Sequence, residues 1–290
     1  MAKRKRGSAP TKPSCSSRRN RRFSRRHFLV AGAYVLAGAA CAGAQDVAPS
    51  PSPHYSLIPV PRTPADLRKQ FTGAQIALLE KLNRRDADHL LRAEPAIPGL
   101  VAPDLWIDDE LAFSPMPAEC DWAAPHGKAL VVHQPMQVFG AYENGQLVRW
   151  GPVSTGRRET PTPAGEYRLT WRSRKRRSTD NDAWVLEWYF NFVNERGVSF
   201  HQFDLPGYPA SHACVRLLQR DAMWIYGWGE QWTLDPGDRR KIVTPGSPVW
   251  IAGVCDDKSP GAWTDPINAA RTIELVATER MRTMPAATRG

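Results

Sequence analysis

The sequence predicts a mostly β domain, a sandwich or barrel with one main helix, preceded by a small helical accessory region. Short apolar segments separated by turn residues follow one another from residue 128 to residue 251, a spacing typical of β-sandwiches and barrels. Among them, only Asp221–Trp228 has the pattern of a helix. All 11 tryptophans lie between Trp106 and Trp263, so the large apolar core is expected there, in a domain at residues 118–256.

Two short helices and a strand are expected in the accessory region, residues 65–117. Thr72 and Asp86 can each cap a helix, because their side chains accept hydrogen bonds from the first free N–H groups. The apolar residues of these two helices are Ile76, Leu79, Leu82, Leu90 and Leu91. A short strand is expected at Leu100–Val101. The stretch 75–103 faintly resembles a LysM-type wall-binding module, although it lacks a clear first strand.

The strands of the main domain are predicted from apolar runs bounded by turn signals. Asn144-Gly145 is the strongest signal, since this dipeptide favours the tight turn of a hairpin. A second turn is expected at 194–197. The predicted strands are Ala129–Val132, Met136–Tyr142, Leu147–Trp150, Trp184–Val193, Val198–Phe203 and Pro248–Ile251.

The formal charge of +10 arises at the beginning of the chain. Eleven of the 39 Lys and Arg residues precede residue 27, and no acidic residue precedes Asp46, so the remainder carries 28 basic and 29 acidic residues. A nucleic-acid-binding protein needs its excess positive charge on the folded part. The charge distribution therefore excludes nucleic acid as a partner.

Residues 1–44 have the pattern of a twin-arginine export signal. Arg25-Arg26 is followed by Phe28-Leu29 and by an uncharged, weakly apolar stretch that ends at Ala42-Gly43-Ala44. This stretch is too short and too rich in glycine for a membrane anchor. We expect a protein of the periplasm or cell envelope, with no stable membrane insertion after signal cleavage.

Two further segments are predicted to lie outside the folded domains. Residues 45–64 are rich in Pro and Ser and are expected to form an extended linker. Residues 257–290 are expected to form a C-terminal tail with a helical stretch near Asn268–Met281.

Export would leave Cys120, Cys214 and Cys255 in the mature chain. Cys120 precedes the first strong strand and Cys255 follows the last one. Either these two form a disulfide or all three cysteines remain reduced. In both cases the thiol of Cys214 requires a function of its own.

A basic run, Arg172 and Arg174–Arg177, stands out in the mature chain. Runs of charge are most often solvated loop tips, which is the favoured interpretation. The alternative is a lid between strands that attracts acidic groups of a wall polymer.

The residues with the clearest chemistry lie between Phe200 and Arg216. Of the three cysteines in the mature chain, Cys214 is the one with histidines nearby in sequence, His201 and His212. A thiol with its ordinary pKa of about 8.5 is mostly protonated at neutral pH, and an imidazole within reach can activate it as a nucleophile. His201 ends a predicted strand, and the Pro- and Gly-rich loop after it can return the chain to bring Cys214 beside it. Arg216 would share a face with Cys214 in an extended chain, where its guanidinium can hold a carboxylate.

The run from His201 through Ser211-His212-Ala213-Cys214-Val215-Arg216 resembles the signature of the L,D-transpeptidases of the YkuD type. Two further stretches are similar to motifs of that family. They are Ser154-Thr155-Gly156 with Thr160-Pro161-Thr162-Pro163-Ala164-Gly165, and Pro248-Val249-Trp250-Ile251. Three motifs in the right order are far more specific than any one of them.

The resemblance implies an enzyme that needs no cofactor and acts on peptidoglycan stem peptides. It implies Cys214 as nucleophile and His201 as general base, with the backbone carbonyl of Gln202 orienting the imidazole. His212 would support catalysis, and Arg216, Ser211 and Ala213 would contact the substrate. The implied reaction forms a thioacyl-enzyme from a tetrapeptide stem, releases D-Ala, and transfers the acyl group to an amine of another stem or of an envelope protein. Ala213 stands where the family usually has Gly, which matters if the backbone there has a positive φ.

Three alternatives remain open at this point. The same thioacyl-enzyme can be hydrolysed, which would make the protein an L,D-carboxypeptidase or endopeptidase. His201, His212 and Cys214 are also acceptable zinc ligands, which would make it a zinc hydrolase. Finally, the chain can be a non-catalytic wall-binding protein.

Overall fold

A nine-stranded mixed sheet forms the centre of this computed structural model. The described residues are 53–92, 97–179, 181–255 and 261–276, and they lie in one compact unit, Ser50–Gly290. The predicted signal, residues 1–44, lies outside them, as do residues 45–52 of the predicted linker.

Thirteen strands and five α-helices are formed by the described residues. The strands are β1 (Tyr55–Ile58), β2 (Leu100–Pro103), β3 (Lys128–His133), β4 (Val138–Glu143), β5 (Gln146–Ser154), β6 (Gly165–Arg168), β7 (Arg172–Arg177), β8 (Val185–Val193), β9 (Val198–Gln202), β10 (Val215–Leu217), β11 (Thr233–Leu234), β12 (Ile242–Thr244) and β13 (Pro248–Ala252). The helices are α1 (Pro64–Gln70), α2 (Gly73–Asn83), α3 (Ala87–Leu90), α4 (Gln219–Trp228) and α5 (Pro266–Ala269). Short 3₁₀ turns lie at Glu110–Phe113, Gln134–Met136, Asn194–Arg196 and Ala262–Thr264.

The large sheet has the strand order β6-β13-β3-β4-β5-β10-β9-β8-β7. Two neighbouring pairs, β13 with β3 and β10 with β9, run parallel, and the other pairs are antiparallel. The predicted mostly β class with one main helix in this domain is confirmed.

The sheet curls until its two ends meet. After β6 the chain continues towards β7, and on the way Thr170 N–H donates to the Asn191 carbonyl at 2.8 Å while Asn191 N–H donates to the Trp171 carbonyl at 3.0 Å. The rings of Tyr167 on β6 and Phe192 on β8 are also in contact, with centroids 5.6 Å apart. The continuous segment from β6 to β7 therefore supplies the strands at both ends of the strand order. This brings the two ends together and gives the sheet a barrel-like closure.

Alternation along the strands divides the apolar residues between two cores. On β3, Leu130 and Val132 belong to the inner core, whereas Ala129 and Val131 belong to the outer one. The inner core also takes Ala222 and Ile225 from α4, so the main helix packs on the concave side of the sheet. The outer core is covered by residues of the accessory region, among them Leu78 and Leu82 of α2.

The accessory region contains a strand that was not expected. Tyr55–Ile58 pairs antiparallel with Leu100–Pro103, so part of the predicted linker is β1, and helix α1 begins at Pro64 after the cap of Thr63. This strand is not evident in the sequence, because prolines flank it on both sides. The predicted caps at Thr72 and Asp86 are present at the starts of α2 and α3.

Three expectations about single elements were wrong. The strand expected from Met136 begins at Val138, because Gln134–Met136 forms a 3₁₀ turn and Gln137 has a left-handed backbone with φ of 47°. The basic run is not a loop tip but strand β7 at one end of the sheet. The helix expected near Asn268–Met281 ends at Ala269, and residues 277–281 lie outside the described part.

The disulfide alternative between Cys120 and Cys255 is not realised. Cys120 is buried in the outer core as a free thiol, where burial raises its pKa.

Candidate active site

Cys214 lies where the loop after His201 returns to the sheet and enters β10. This strand is paired in parallel with β9, with Arg216 opposite His201 and Val215 opposite Phe200. The pairing brings Cys214, which directly precedes β10, close to β9, the strand that carries His201, although the two residues are 13 positions apart in sequence. The register of β10 with β9 therefore determines where the thiol lies relative to the imidazole.

One cleft of about 310 Å³ is lined by most of the predicted site residues. Cys214, His201 and Arg216 border it together with Ser211 and His212. The remaining lining residues are Ser178, Trp184, Leu186 and Phe203. The hairpin of β7 and β8 supplies three of these four, so it forms one wall of the cleft.

His201 is held in one orientation and is almost inaccessible, with 4% of its surface exposed. Its Nδ1 lies 3.0 Å from the backbone carbonyl oxygen of Gln202. Because a carbonyl oxygen can only accept a hydrogen bond, Nδ1 carries the proton and Nε2 is left with its lone pair. Burial, with a contribution from the Arg216 charge, lowers the pKa of His201 to about 4. The imidazole is therefore neutral at neutral pH.

Two groups beside the thiol were not identified from the sequence. Ser199 Oγ lies 3.5 Å from Cys214 Sγ, and the Gly197 carbonyl oxygen lies 3.9 Å from it. Ser199 is two residues before His201 on β9, and residues at this spacing share a face of a strand. That alternation is the signal by which Ser199 could have been found.

Ala213 has a left-handed backbone, with φ of 86°. This conformation is disfavoured for a residue with a Cβ, and the surrounding hydrogen bonds impose it. Ser211 Oγ donates to the Cys214 carbonyl, and Thr162 Oγ donates to the Ala213 carbonyl at 2.8 Å. The turn that presents Cys214 is thus fixed on both sides.

The stretch 154–162 forms a scaffold under this turn. Ser211 N–H donates to the Thr155 carbonyl at 3.1 Å, and Arg157 N–H donates to the Ser211 carbonyl at 3.0 Å. Thr162 Oγ also accepts from Gly156 N–H at 2.8 Å. Gly156 is required here, because a Cβ would overlap with the backbone of Thr160 and Thr162.

The Arg216 guanidinium lies over the Phe203 ring, with 4.6 Å between its central carbon and the ring centroid. Nη2 donates to the Ala210 carbonyl at 2.9 Å, and Nη1 lies 3.4 Å from the Asp204 carbonyl. Burial lowers the pKa of Arg216 from its usual value, although the group remains a cation at neutral pH. A fixed, partly desolvated cation at the cleft is suited to binding an anionic group.

His212 packs on the Trp184 ring, with centroids 5.2 Å apart. Its Nδ1 is buried and has no hydrogen-bond partner among the described residues. His212 therefore packs against the cleft wall and lines the cleft beside Cys214.

A second, larger cleft of about 1280 Å³ also reaches Cys214. Its lining includes Thr160 and Pro161, the turn Asn194–Val198, and Arg176 and Tyr189 of the hairpin. Ser178, Leu186, His212 and Cys214 border both clefts. The thiol thus borders two clefts, and the hairpin of β7 and β8 contributes to the lining of both.

The basic residues of β7 alternate between the two faces of the strand. Arg174 and Arg176 lie over aromatic rings, Arg176 at 4.7 Å from the Trp171 centroid and 5.0 Å from that of Tyr189. On the opposite face, Lys175 forms an ion pair with Glu187 at 2.8 Å. Stacking on aromatic rings explains why so charged a sequence forms a strand.

Within the described ranges, no three His, Cys, Asp or Glu side chains come together as metal ligands do. The set His201, His212 and Cys214 considered as a zinc alternative therefore does not converge on one point. No helix in the described part of the chain has the length and apolarity needed to cross a bilayer.

Residues 127–251 match the family model described as YkuD, L,D-transpeptidase catalytic domain. This match supports the resemblance inferred from the three motifs, for that part of the chain. No curated protein matches the sequence significantly.

Several solved structures are similar to part of the chain. One is an L,D-transpeptidase from Stackebrandtia nassauensis, 22% identical, with a TM-score of 0.36 over 45% of this chain and 57% of that one. Another is an L,D-transpeptidase from Mycobacterium tuberculosis, 23% identical, with a TM-score of 0.35 over 44% of this chain and 58% of that one. A third, from Mycobacterium smegmatis, is 17% identical, with a TM-score of 0.35 over 44% of this chain and 59% of that one. The chain thus spans less than two thirds of the length of each of these proteins.

Proposed function

We propose that the protein is a peptidoglycan L,D-transpeptidase in which Cys214 forms a thioacyl-enzyme with a tetrapeptide stem. The observation that carries this proposal is the shared cleft of Cys214, His201 and Arg216, with the His201 imidazole oriented by the Gln202 carbonyl. The family match over residues 127–251 supports the reaction class.

In the first step, Cys214 Sγ attacks the carbonyl carbon of the L-centred third residue of the stem. His201 Nε2 accepts the thiol proton, since Nδ1 is already engaged with the Gln202 carbonyl. Backbone N–H groups at Ala213 and Cys214 are the donors that we assign to the oxyanion. The amide bond then breaks, His201 returns the proton to the leaving amine, and D-Ala departs.

Arg216 is proposed to hold the carboxylate of the donor stem. Its two hydrogen bonds to the Ala210 and Asp204 carbonyls fix the guanidinium at the edge of the same cleft as the thiol. A guanidinium so placed can bind a carboxylate bidentately and aligns the stem for attack. The substrate class is therefore a peptide with a free carboxylate close to the scissile bond.

In the second step, an amine attacks the thioester carbonyl carbon and His201 accepts its proton. The C–S bond then breaks, and His201 returns the proton to the sulfur, which regenerates the Cys214 thiol. The second cleft also borders Cys214, and we assign it to the acceptor, with the acyl group in the first cleft. We propose an amine of a second stem as acceptor, which gives a cross-link between third-position residues. An amine of an envelope protein, or water, would enter by the same route and would yield an attached protein or an L,D-carboxypeptidase or endopeptidase product.

The location of this reaction follows from the substrate. Peptidoglycan lies outside the cytoplasm, and residues 1–44 have the pattern of a twin-arginine signal. We propose export by that route to the periplasm or cell envelope.

The test is intact-protein mass spectrometry after incubation with a disaccharide-tetrapeptide. The expected result is an adduct on the wild-type protein, release of D-Ala, and a muropeptide dimer. Cys214→Ala is expected to form no adduct and to remain folded, because the side chain lies at the rim of a cleft and not in the core.

Cys255→Ala is the matched control, since it also removes a thiol but one outside the cleft, and it is expected to keep full activity. Cross-linking by Cys214→Ala would show that another residue is the nucleophile. Absence of any adduct on the folded wild-type protein would instead favour a wall-binding role without catalysis.

A further inference from the structure

The accessory region is attached to the sheet by buried polar groups at the end of α2. Arg84 is fully buried, donates from Nε to the Met136 carbonyl at 3.0 Å, and lies between the rings of Trp150 and Trp263. Glu80 forms an ion pair with Arg220 of α4. The segment that follows, Arg85 and Asp86, extends from this anchor towards the active site.

Asp86 holds the loop that joins His201 to Cys214. Its backbone N–H donates to the Leu205 carbonyl at 3.1 Å, and its carboxylate accepts from Leu205 N–H at 2.8 Å. Leu205 is fully buried, so both of its backbone groups are satisfied by one residue 119 positions earlier in the chain. An unpaired buried N–H is costly, which makes this contact a strong constraint on the loop.

Arg85 adds a second contact to the same loop. It forms an isolated antiparallel bridge with Pro206, and its side chain is fixed by the carbonyls of His89 and Arg92 at 3.1 and 2.7 Å. Gly207, with φ of 91°, lies against this side chain, where an added Cβ would come within 2.7 Å of Arg85 Nε. The backbone at 205–207 thus rests directly on the accessory region.

The same loop positions Arg216. The two carbonyls that hold the Arg216 guanidinium belong to Asp204 and Ala210, which flank the segment held by Arg85 and Asp86. At the far end, Ser154 Oγ donates to the Tyr208 carbonyl at 2.7 Å and accepts from Ala210 N–H at 3.0 Å. The loop is therefore supported by the accessory region on one side and by β5 on the other.

We propose that Asp86 and Arg85 are positioning residues, which hold the loop 204–210 and through it orient Arg216 beside the thiol. In this arrangement the accessory region is part of the active-site structure and not only an appended module. The inference rests on the proposed function for the role of Arg216 in binding the donor carboxylate.

The first test measures the charge beside the thiol without any peptidoglycan substrate. Alkylation of Cys214 by anionic iodoacetate and by neutral iodoacetamide is followed by peptide mass spectrometry, and the ratio of the two rates reports a cation held at the cleft. Asp86→Ala is expected to lower the ratio of the iodoacetate rate to the iodoacetamide rate by about 5-fold. This is the effect on a rate of one unit charge at about 4 Å in a solvent-exposed site. Hydrogen exchange at residues 204–211 is expected to accelerate in the same variant, while exchange in β3 and β4 stays as in the wild type.

His89→Ala is the matched control, because it removes the other side chain bonded to the Asp86 carboxylate and leaves the Leu205 contact in place. It is expected to keep the wild-type ratio. Gly207→Ala provides a second variant should Asp86→Ala fail to fold, since it displaces the loop from the opposite side and is expected to lower the ratio as well.

The second test measures acyl-enzyme formation with the tetrapeptide stem. Asp86→Ala is expected to raise KM for the donor by roughly 10-fold or more, the scale of a misplaced binding group, with a smaller change in kcat. An unchanged alkylation ratio, or an unchanged KM with accelerated loop exchange, would overturn the positioning role. Should the wild-type protein form no acyl-enzyme, the proposed function fails, and the alkylation ratio alone decides the role of Asp86.

Discussion

The neutral state of His201 is the residue-level feature that determines how the thiol can be activated. Its side chain is buried, and the nearby Arg216 cation further disfavours protonation, so its pKa is lowered to about 4. An imidazole of this kind does not form a resting ion pair with a thiolate. In the proposed reaction such an imidazole would accept the thiol proton as the attack proceeds, which is general-base catalysis.

The neutral state of His201 predicts how the rate of acyl-enzyme formation changes at acidic pH. Protonation of Nε2 removes the base, so kcat/KM for acyl-enzyme formation is expected to fall as pH decreases through about 4, and to be nearly constant between pH 5 and pH 6.5. The measurement is the rate of acylation from pH 3.5 to pH 8, with circular dichroism to show that the protein remains folded. Half-loss of activity near pH 6.5, the ordinary value for a histidine, would contradict this account.

Most of the candidate site could be predicted from the sequence, because its residues lie within sixteen positions of one another. Spacing and resemblance predict that Cys214, His201 and Arg216 lie together, and in the structure all three line one cleft, with Arg216 opposite His201 on paired strands and Cys214 directly before β10. Ser199 was missed, although strand alternation points to it. The contact of Asp86 with Leu205 could not be predicted, because nothing in either local sequence indicates a partner 119 residues away.

At the level of elements, the loop 160–162 supports the turn that presents Cys214. Thr162 is 3% exposed, and its hydroxyl joins Gly156 N–H to the Ala213 carbonyl. A hydroxyl that both accepts and donates in this way links the end of β5 to the residue before Cys214. Its loss would leave a buried N–H and a buried carbonyl without partners.

Thr162→Val is therefore expected to lower the free energy of unfolding by about 1–3 kcal/mol, the cost of leaving a buried polar group unsatisfied, and to reduce acylation as well. Urea denaturation followed by tryptophan fluorescence measures the first effect. Thr160→Val is the control, since the Thr160 hydroxyl makes a longer bond, 3.2 Å to the Ser211 carbonyl, at a more exposed site, and a loss under about 1 kcal/mol is expected. Equal losses in the two variants would show that the Thr162 bridge has no special importance.

Elements differed in how well their sequences predicted them. The strands β3, β5 and β8 could be predicted because each contains an apolar run bounded by turn residues, and α4 could be predicted from its helical pattern. Strand β7 was misread, since its arginines become compatible with a strand only when Trp171, Trp188 and Tyr189 lie beneath them. Strand β1 was missed because its partner β2 is more than forty residues away.

On the scale of the whole molecule, Arg84 joins the accessory region to the sheet. Its guanidinium has lost its hydration, which lowers the pKa to about 9, and this cost is offset by carbonyl acceptors and by two tryptophan rings. Such an anchor couples the stability of the accessory region to that of the sheet. We expect the accessory region and the sheet to unfold in one transition.

Arg84→Ala is expected to lower the free energy of unfolding by roughly 3 kcal/mol or more, through lost hydrogen bonds and lost packing between the rings. Urea denaturation is followed both by far-ultraviolet circular dichroism and by tryptophan fluorescence, and the two curves are expected to coincide in the wild-type protein. Arg62→Ala, at an exposed position of the same region, is expected to change stability by less than about 0.5 kcal/mol. Two separate transitions in the wild type would show that the accessory region folds independently.

The parallel pairing of β3 with β13 has a consequence for how the chain is made. β3 begins at Lys128, but β13, which pairs with one edge of it, is complete only when Ala252 has been synthesised, some 120 residues later. Until then the nascent chain presents an open row of backbone N–H and C=O groups beside a hydrophobic strand, a surface prone to association. Premature arrest of translation before residue 248 would therefore release a fragment that cannot complete its barrel and that cellular quality control would have to remove.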